Sequence, residues 1–134
     1  MIVNGNLNLQ SSSIVSLGNL KEINGNLDLS ASQIIELPNN LKVNGYLNLY
    51  YSKISKLPKK LYVGKALSLS NTEISELPED LIVLKSINLA VTDIIKLPKN
   101  IQLKGKIFLR HSKITKEYIK ENHQNLLNQC DWET

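Results

Sequence analysis

The side chains that most often perform catalysis lie far apart in this sequence of 134 residues. His111 and His123 have no partner at a useful spacing, and Cys130, the single cysteine, lies near the end of the chain. Asparagine stands twenty residues to either side of Asp28, so this acid has no carboxylate partner. A catalytic triad or a metal site needs several such groups that converge, and no glycine-rich phosphate loop precedes a helix. We therefore expect a protein that is not an enzyme and that uses no metal or cofactor.

Basic residues form the second group of interest. Fifteen lysines and one arginine against twelve acids give a net charge of +4. Some of these cations have few acids near them in the sequence and form a candidate basic patch: Lys65, Lys85, Lys104, Lys106 and Arg110. Such a patch could bind DNA, RNA or an acidic ligand. A single arginine and few interleaved aromatic residues argue against nucleic acid as the partner.

Tyrosines form the third group. Three of the five fall within six residues, at Tyr46, Tyr50 and Tyr51, among polar neighbours. Phenol rings bury a large area at little entropic cost and keep a hydrogen bond, which favours them in protein-binding surfaces, although tyrosine is also a good strand former. The predicted partner-binding surface consists of Tyr46, Asn48, Tyr50, Tyr51, Asp28, Ser30, Ser68, Ser70 and Asn71.

These groups are positioned by a repeat of twenty residues, without insertion or deletion. The first positions of the six coils are Val3, Ile23, Val43, Val63, Val83 and Leu103. In every coil the fifth and seventh positions are Leu or Ile and the twelfth is Ile. A mostly polar residue between the fifth and seventh positions predicts one short strand per coil, and Leu-Pro at the fifteenth and sixteenth predicts an extended or turning back wall. One coil buries too little to be stable alone, so the coils must stack as a parallel solenoid.

The pattern L-x-L-x-x-[ST]-x-I-x-x-L-P-x-x-L, as in residues 47–61, resembles the leucine-rich repeat family over residues 3 to about 114. It is most similar to the short twenty-residue repeats of bacterial and phage proteins. The resemblance implies an α/β-type solenoid, mainly parallel β, with six right-handed coils that bind a partner protein through the strand surface. By analogy it also implies a bacterial or phage protein that binds and inhibits a host protein, such as a defence component.

Two further columns have structural interpretations. The family's Asn after the strand is replaced by hydroxyl residues, which we expect to bond the backbone of the adjacent coil as an internal ladder: Ser12, Ser32, Ser52, Thr72, Thr92 and Ser112. The fourteenth position carries Glu36, Lys56, Glu76 and Lys96. Their alternating signs predict ion pairs along a solvated back wall rather than a phosphate-binding surface.

The C-terminal end of the stack has a candidate cover. Residues 115–129 read as a capping helix with Thr115 as its N-cap. Its apolar face would combine Tyr118, Ile119, Leu126 and Leu127. Residues 130–134 are expected to be a tail, with Trp132 beneath the helix.

The N-terminal coil lacks the Lys or Pro that usually blunt a sheet edge. We expect its apolar residues Val3, Leu7 and Leu9 to pair edge to edge with a second copy, as a dimer, or with a partner. The alternatives are a frayed first coil or missing upstream residues.

Size and composition favour one domain over residues 1–134. An unpaired cysteine, together with the lack of a recognisable signal peptide or transmembrane segment, favours a cytoplasmic location in the bacterial or host cell and no membrane contact. A purely structural, oligomeric building block is a third functional class.

Overall fold

The structure, a computed structural model, describes residues 1–133. The chain winds into a β-solenoid of about six turns, one for each coil of the repeat. Neighbouring coils pair in parallel between residues twenty apart: Val3 pairs with Ile23, and Leu27 pairs with Leu47. Because each aliphatic column therefore meets its own copy in the next coil, the prediction of an in-phase, mainly parallel solenoid is confirmed.

Short strands of two or three residues form the regular part of each coil. The strands are β1 (Ile2–Val3), β2 (Leu7–Asn8), β3 (Glu22–Ile23), β4 (Leu27–Asp28), β5 (Lys42–Val43), β6 (Leu47–Asn48), β7 (Tyr62–Val63), β8 (Ala66–Ser68), β9 (Ile82–Val83), β10 (Ser86–Asn88), β11 (Ile107–Phe108) and β12 (Cys130–Asp131). Strands β1, β3, β5, β7 and β9 form a five-stranded sheet, the side sheet. The others form the seven-stranded front sheet, in the order β12-β11-β10-β8-β6-β4-β2.

The first five coils each contain two strands, so the prediction of one strand per coil was wrong. The additional strand covers the twentieth position and the following first position, as in β5, where Lys42 is exposed and Val43 is fully buried. Two residues are too few to show an alternating pattern in the sequence. A tight bend separates the two strands, and a Cβ added at Gly45 would lie 2.7 Å from the carbonyl oxygen of Gly25. This close approach explains the glycine.

The core consists of the aliphatic columns. Leu47 and Leu49 of the front sheet, Val43 of the side sheet and Ile54 of the back wall are all fully buried. The back wall itself is irregular and turns at the Leu-Pro positions, where the N–H of Leu81 donates to the carbonyl of Pro78 at 3.2 Å. The extended and turning back wall predicted from the prolines is therefore observed.

The hydroxyl column is buried in the middle coils but does not bond the next coil. The Thr72 hydroxyl donates to the Leu69 carbonyl of its own coil at 2.7 Å, and Ser112 Oγ accepts from the Ile114 N–H at 3.1 Å. The hydroxyls of this column that form hydrogen bonds find their partners within their own turn. The longer asparagine side chains form the inter-coil ladder instead, since Asn44 Nδ2 donates to Asn24 Oδ1 at 2.7 Å and Asn24 Nδ2 to Asn4 Oδ1 at 2.8 Å.

The predicted ion pairs of the fourteenth position are absent among residues 1–133. The salt bridge that the described residues do form joins Lys113 Nζ to Asp93 Oδ1 at 3.2 Å, at the eleventh position, with both side chains well exposed. Long, solvated side chains lose entropy when they are held in one geometry, which explains why alternation of sign alone does not produce contacts.

The C-terminal cover is two elements rather than one helix over 115–129. Helix α1 (Lys116–Asn122) ends at His123, and a 3-10 helix (Gln124–Gln129) follows. Thr115 is the N-cap as predicted, because its side chain accepts from the Tyr118 N–H. The turn at His123 lets the cover follow the end of the stack, and it buries Ile119 and Leu126 while Tyr118 and Leu127 pack at the margin.

The segment after the 3-10 helix is not a simple tail. Residues Cys130–Asp131 form β12, which pairs in parallel with β11, and the Leu109 N–H donates to the Asp131 carbonyl at 2.7 Å. Trp132 is half-buried and packs against the core. The last residue assigned to the tail, Thr134, lies outside the described residues. The C-terminal edge of the front sheet thus gains a strand that the repeat pattern does not encode.

The first coil is the least buried. Val3, Leu7 and Leu9 are only partly buried against the core, and Ile2 is 57% exposed. Nothing in residues 1–133 folds back over this end. No helix in that range is sufficiently long and apolar to span a bilayer.

Candidate functional site

The outward face of the front sheet carries the fourth, sixth and eighth positions of each coil. In the third coil these are Tyr46, Asn48 and Tyr50, and the two rings are 39% and 46% exposed. The Tyr46 N–H donates to Asn26 Oδ1 of the preceding coil at 2.9 Å, and the Tyr50 N–H donates to Asn48 Oδ1 at 3.0 Å. Asparagine side chains therefore fix the backbone from which both rings project.

An open groove of about 470 Å³ lies beside these tyrosines; we call it the trough. Tyr46 and Tyr50 border it at the third coil and Phe108 borders it at the sixth. The fourth and fifth coils between them present small side chains, which form its floor: Ala66, Ser68, Ser86 and Asn88. The trough is thus a two-coil depression between two aromatic ridges.

Most polar acceptors of the floor are already engaged by the chain. Asn88 Oδ1 accepts from the Ala90 N–H at 2.9 Å, and Ser86 Oγ accepts from the Lys106 N–H at 3.0 Å. Asn48 Oδ1 is occupied in the same way by the Tyr50 N–H. The Nδ2 groups of Asn48 and Asn88 have no hydrogen-bond partner within residues 1–133. The trough therefore offers donors and van der Waals surface but few free acceptors.

Tyr51 belongs to a different part of the surface. Its ring centroid lies 6.1 Å from that of Tyr50, but it is 65% exposed and does not line the trough. Its backbone has φ 57°, and the ninth position adopts φ between 54° and 58° in all six coils. A left-handed conformation is unfavourable for residues other than glycine, and most so for a β-branched residue such as Val91 in the same column. No glycine occupies this column, so the left-handed turn could not be predicted from the sequence.

The other predicted partner-binding residues divide between the trough and its surroundings. Ser68 is in the floor, whereas Ser30 and Ser70 are buried and Asn71 adjoins Tyr51. The Asp28 carboxylate accepts from both the N–H and the hydroxyl of Ser30, at 2.9 and 2.7 Å. Asp28 pairs in register with Asn48, so it lies on the far side of the tyrosine coil from the trough.

The structure brings four of the five predicted basic residues together at the bend before the front sheet. Lys65 and Lys85 occupy the same position in adjacent coils, where the Lys85 N–H donates to the Lys65 carbonyl at 3.1 Å. Lys104 and Lys106 flank Gly105, whose N–H donates to the Lys85 carbonyl at 2.7 Å. All four side chains are exposed.

Arg110 is separate from these lysines. It is exposed at the far end of the sixth coil's strand, beyond Phe108, and it does not line the trough.

The perturbed titratable groups lie in the C-terminal cover. Burial lowers the pKa of His123 below its ordinary value of 6.5 and outweighs the raising effects of the Glu79 carboxylate and of the Leu97 backbone. Burial also raises the pKa of the Cys130 thiol, whose Sγ donates to the Leu126 carbonyl at 3.5 Å. A raised pKa lowers the thiolate fraction and hence the reactivity of Cys130.

The side chains that could ligate a metal are scattered over the described part of the chain. Residues 1–133 contain no cluster of three or more His, Cys, Asp or Glu side chains that could hold a metal ion. Comparison with known proteins found no matching family model, no matching curated protein and no matching solved structure.

Apart from the buried Leu47 and Leu67, the residues of the trough that the sequence prediction missed are Phe108, Ala66, Ser86 and Asn88. Phe108 is the single phenylalanine, and it occupies a sixth position where the other coils carry Asn, Asp or Ser. This departure from the column is the feature by which the sequence could have identified Phe108. The floor residues carried no such feature, because small polar residues on a strand are ordinary.

Proposed function

We propose that this protein is a non-enzymatic binding module that recognises another protein through the outward face of its front sheet. The observation that supports the proposal is the pair of exposed rings, Tyr46 and Tyr50, beside a groove that has a floor of small side chains and a third ring, Phe108. Exposed aromatic side chains on a rigid scaffold provide anchor area for a partner at little entropic cost. Tyr51 and Asn48 would extend the same contact.

A paired-variant experiment tests the proposal. Tyr46→Ala combined with Tyr50→Ala should abolish capture of the partner from lysate, because both anchors are lost. Both rings are well exposed, so thermal unfolding should change little. The matched control is Tyr62→Ala, because Tyr62 lies in the side sheet away from the trough. Capture that survives the double variant, or that is lost equally in the control, would contradict the proposal.

The rival function is binding of nucleic acid or another acidic ligand at the basic patch. The specific observation in its favour is the exposed group formed by Lys65, Lys85, Lys104 and Lys106 along one bend. Lys65→Glu combined with Lys85→Glu should then abolish binding, and binding should weaken steeply as salt is raised. The tyrosine variants would have little effect. A structural building block would tolerate both pairs of substitutions.

A second contact is proposed at the N-terminal edge, formed by Val3, Leu7 and Leu9. Half-buried apolar residues beside an uncovered strand favour pairing with the same edge of another copy. Light scattering over a range of concentrations should show dimers that dissociate in Leu7→Lys. A particle that stays monomeric at high concentration would exclude this contact.

The likeness to bacterial and phage repeat proteins extends the proposal to a bacterial or phage product that inhibits a host protein. The partner captured in the tyrosine experiment provides the test: its activity should fall when the wild-type chain is added and remain unchanged with the double tyrosine variant.

A further inference from the structure

We propose that the trough receives an α-helix of the partner, and that this helix carries carboxylates towards its C-terminal end. This inference rests on the proposed function and specifies the kind of partner. It depends on the dimensions of the trough, the chemistry of its floor and the charges around it.

The dimensions suit a helix. The ridges stand on the third and sixth coils, three strand spacings apart, which corresponds to about 14 Å between their backbones. An α-helix with its side chains is about 10–12 Å across, so one helix fills the gap once the ridge side chains are allowed for. Along the strands, the fourth to the eighth positions span about 13 Å, which corresponds to roughly nine residues of helix.

The floor favours a helix over an extended peptide. A strand laid on the face of a sheet has no backbone to pair with, and the floor acceptors that could bind its N–H groups already accept from the Ala90, Lys106 and Tyr50 N–H groups. A helix satisfies its own backbone groups and needs only a smooth floor. Ala66 and Ser68 allow close approach, while Tyr46 and Phe108 contact the flanks of the helix.

The charges around the trough predict the direction in which the partner helix runs. No carboxylate lines the trough among the described residues, and the lysines at positions 65, 85 and 106 are exposed at the end where the strands begin. The C-terminus of a helix carries a partial negative charge, so the partner helix should place that end, with its acidic side chains, over these lysines. It would therefore run antiparallel to the strands. The free Nδ2 groups of Asn48 and Asn88 supply further donors, whereas the single Arg110 lies at the opposite end of the strands and is outnumbered by the three lysines.

Selection from two displayed libraries tests the inference on the full chain. One library varies the exposed face of a stable helical scaffold, and the other varies extended peptides of equal length. We expect the helical library to be enriched, with Asp and Glu concentrated at the C-terminal end of the helix. Equal enrichment of extended peptides, or helices without acidic residues, would overturn the inference.

Filling the trough should abolish binding of the selected helices. Ser68→Tyr puts a ring into the floor at a position where the sixth coil already carries Phe108, and Ala66→Tyr does so where the third coil carries Tyr46. We therefore expect both variants to fold, which thermal unfolding checks. Each should weaken binding about tenfold or more. Asn8→Tyr, at the same position as Ser68 but in the first coil, is the matched control and should bind as wild type. Helices that bind Ser68→Tyr and Ala66→Tyr as tightly as wild type would contradict the proposed site.

Two comparisons separate this inference from its alternatives. A single-stranded oligonucleotide at physiological salt should not displace a selected helix; displacement would identify the trough as a nucleic-acid surface and overturn the inference. If extended peptides are selected and lose binding in Tyr46→Ala with Tyr50→Ala, the proposed function stands and only the helix is wrong. If no selected binder responds to any substitution on the front sheet, both fail.

Discussion

The two ends of the solenoid differ in how their last coil is completed. At the C-terminal end, Ile107 and Leu109 of the sixth coil are 0% and 2% exposed, because α1, the 3-10 helix and β12 cover them. At the N-terminal end, Leu7 and Leu9 occupy the same positions and are only partly buried. The same position of the repeat is therefore buried to a different extent according to what covers its coil. In a stack of this kind, stability belongs to the interfaces between coils rather than to the coils themselves.

The C-terminal cover is also anchored by polar contacts that the repeat does not supply. The Leu97 N–H donates to Tyr118 Oη at 2.9 Å, and Tyr118 Oη lies 3.3 Å from His123 Nε2. At the other margin, Gln129 Nε2 donates to the carbonyls of Leu103 and Gly105, at 2.6 and 2.7 Å. These contacts tie the cover to both the fifth and the sixth coils.

The largest expected effect is the difference in stability between truncating a leucine in the interior of the stack and truncating the equivalent leucine at the open N-terminal end. Leu47→Ala removes a fully buried side chain between two coils and should lower the free energy of unfolding by about 3 kcal/mol. Leu7→Ala, at the same position of the first coil, should cost only about 1 kcal/mol when measured at protein concentrations too low for the proposed dimer, because the site is then partly solvated. Urea denaturation of both variants measures the difference. The loss for Leu7→Ala should grow as the protein concentration is raised and the dimer covers the first coil; equal losses at low concentration would contradict the difference between the two ends.

The pH dependence of the cover gives the second prediction. His123 has a lowered pKa in the folded state, so the folded chain disfavours its protonation more than the unfolded chain does. Its stabilising contribution is complete above about pH 6.5 and is lost as the pH falls through that value towards the folded pKa. The melting temperature of the wild type should thus fall more steeply between about pH 7 and pH 5 than that of His123→Gln. His111→Gln is the control, since His111 is exposed, and it should follow the wild type.

The cap of α1 gives a smaller effect. Thr115→Ala removes the acceptor for the Tyr118 N–H, which lies 3.0 Å from Thr115 Oγ1, and should cost about 1 kcal/mol. Thr115→Ser keeps the acceptor and should restore most of the loss. Denaturation monitored at Trp132 reports on this end of the chain. A Thr115→Ser variant as unstable as Thr115→Ala would show that the hydrogen bond is not the cause.

The smallest expected effect concerns the left-handed conformation of the ninth position, which recurs in all six coils. Val91 has φ 54°, and Val91→Asn should raise the free energy of unfolding by about 0.5 kcal/mol or more, because asparagine tolerates the left-handed conformation better. Val15→Asn is the matched control: Val15 is similarly exposed, at 51%, but is not among the residues with positive φ. Thermal unfolding should therefore show a gain in stability for Val91→Asn and no gain for Val15→Asn.

The sequence allowed the solenoid, its register and the core columns to be predicted, because a strict period puts identical chemistry in contact from coil to coil. It also identified Thr115 as a cap. It did not reveal the side sheet, whose strands of two residues such as Lys42–Val43 carry no recognisable pattern, or β12, which pairs with residues 23 rather than 20 positions away. Tyr46 and Tyr50 could be predicted as exposed, but the trough beside them depends on the absence of large side chains at the equivalent positions of the fourth and fifth coils.

The constant twenty-residue register also limits how such a surface can vary. Because every ridge stands on a coil, the gap between Tyr46 and Phe108 changes only by insertion or removal of a whole coil, in steps of about 4.8 Å. Duplicating residues 63–82 would widen the trough by one step and leave both walls intact. A protein of this architecture can therefore accommodate partners of different width only in steps of one coil.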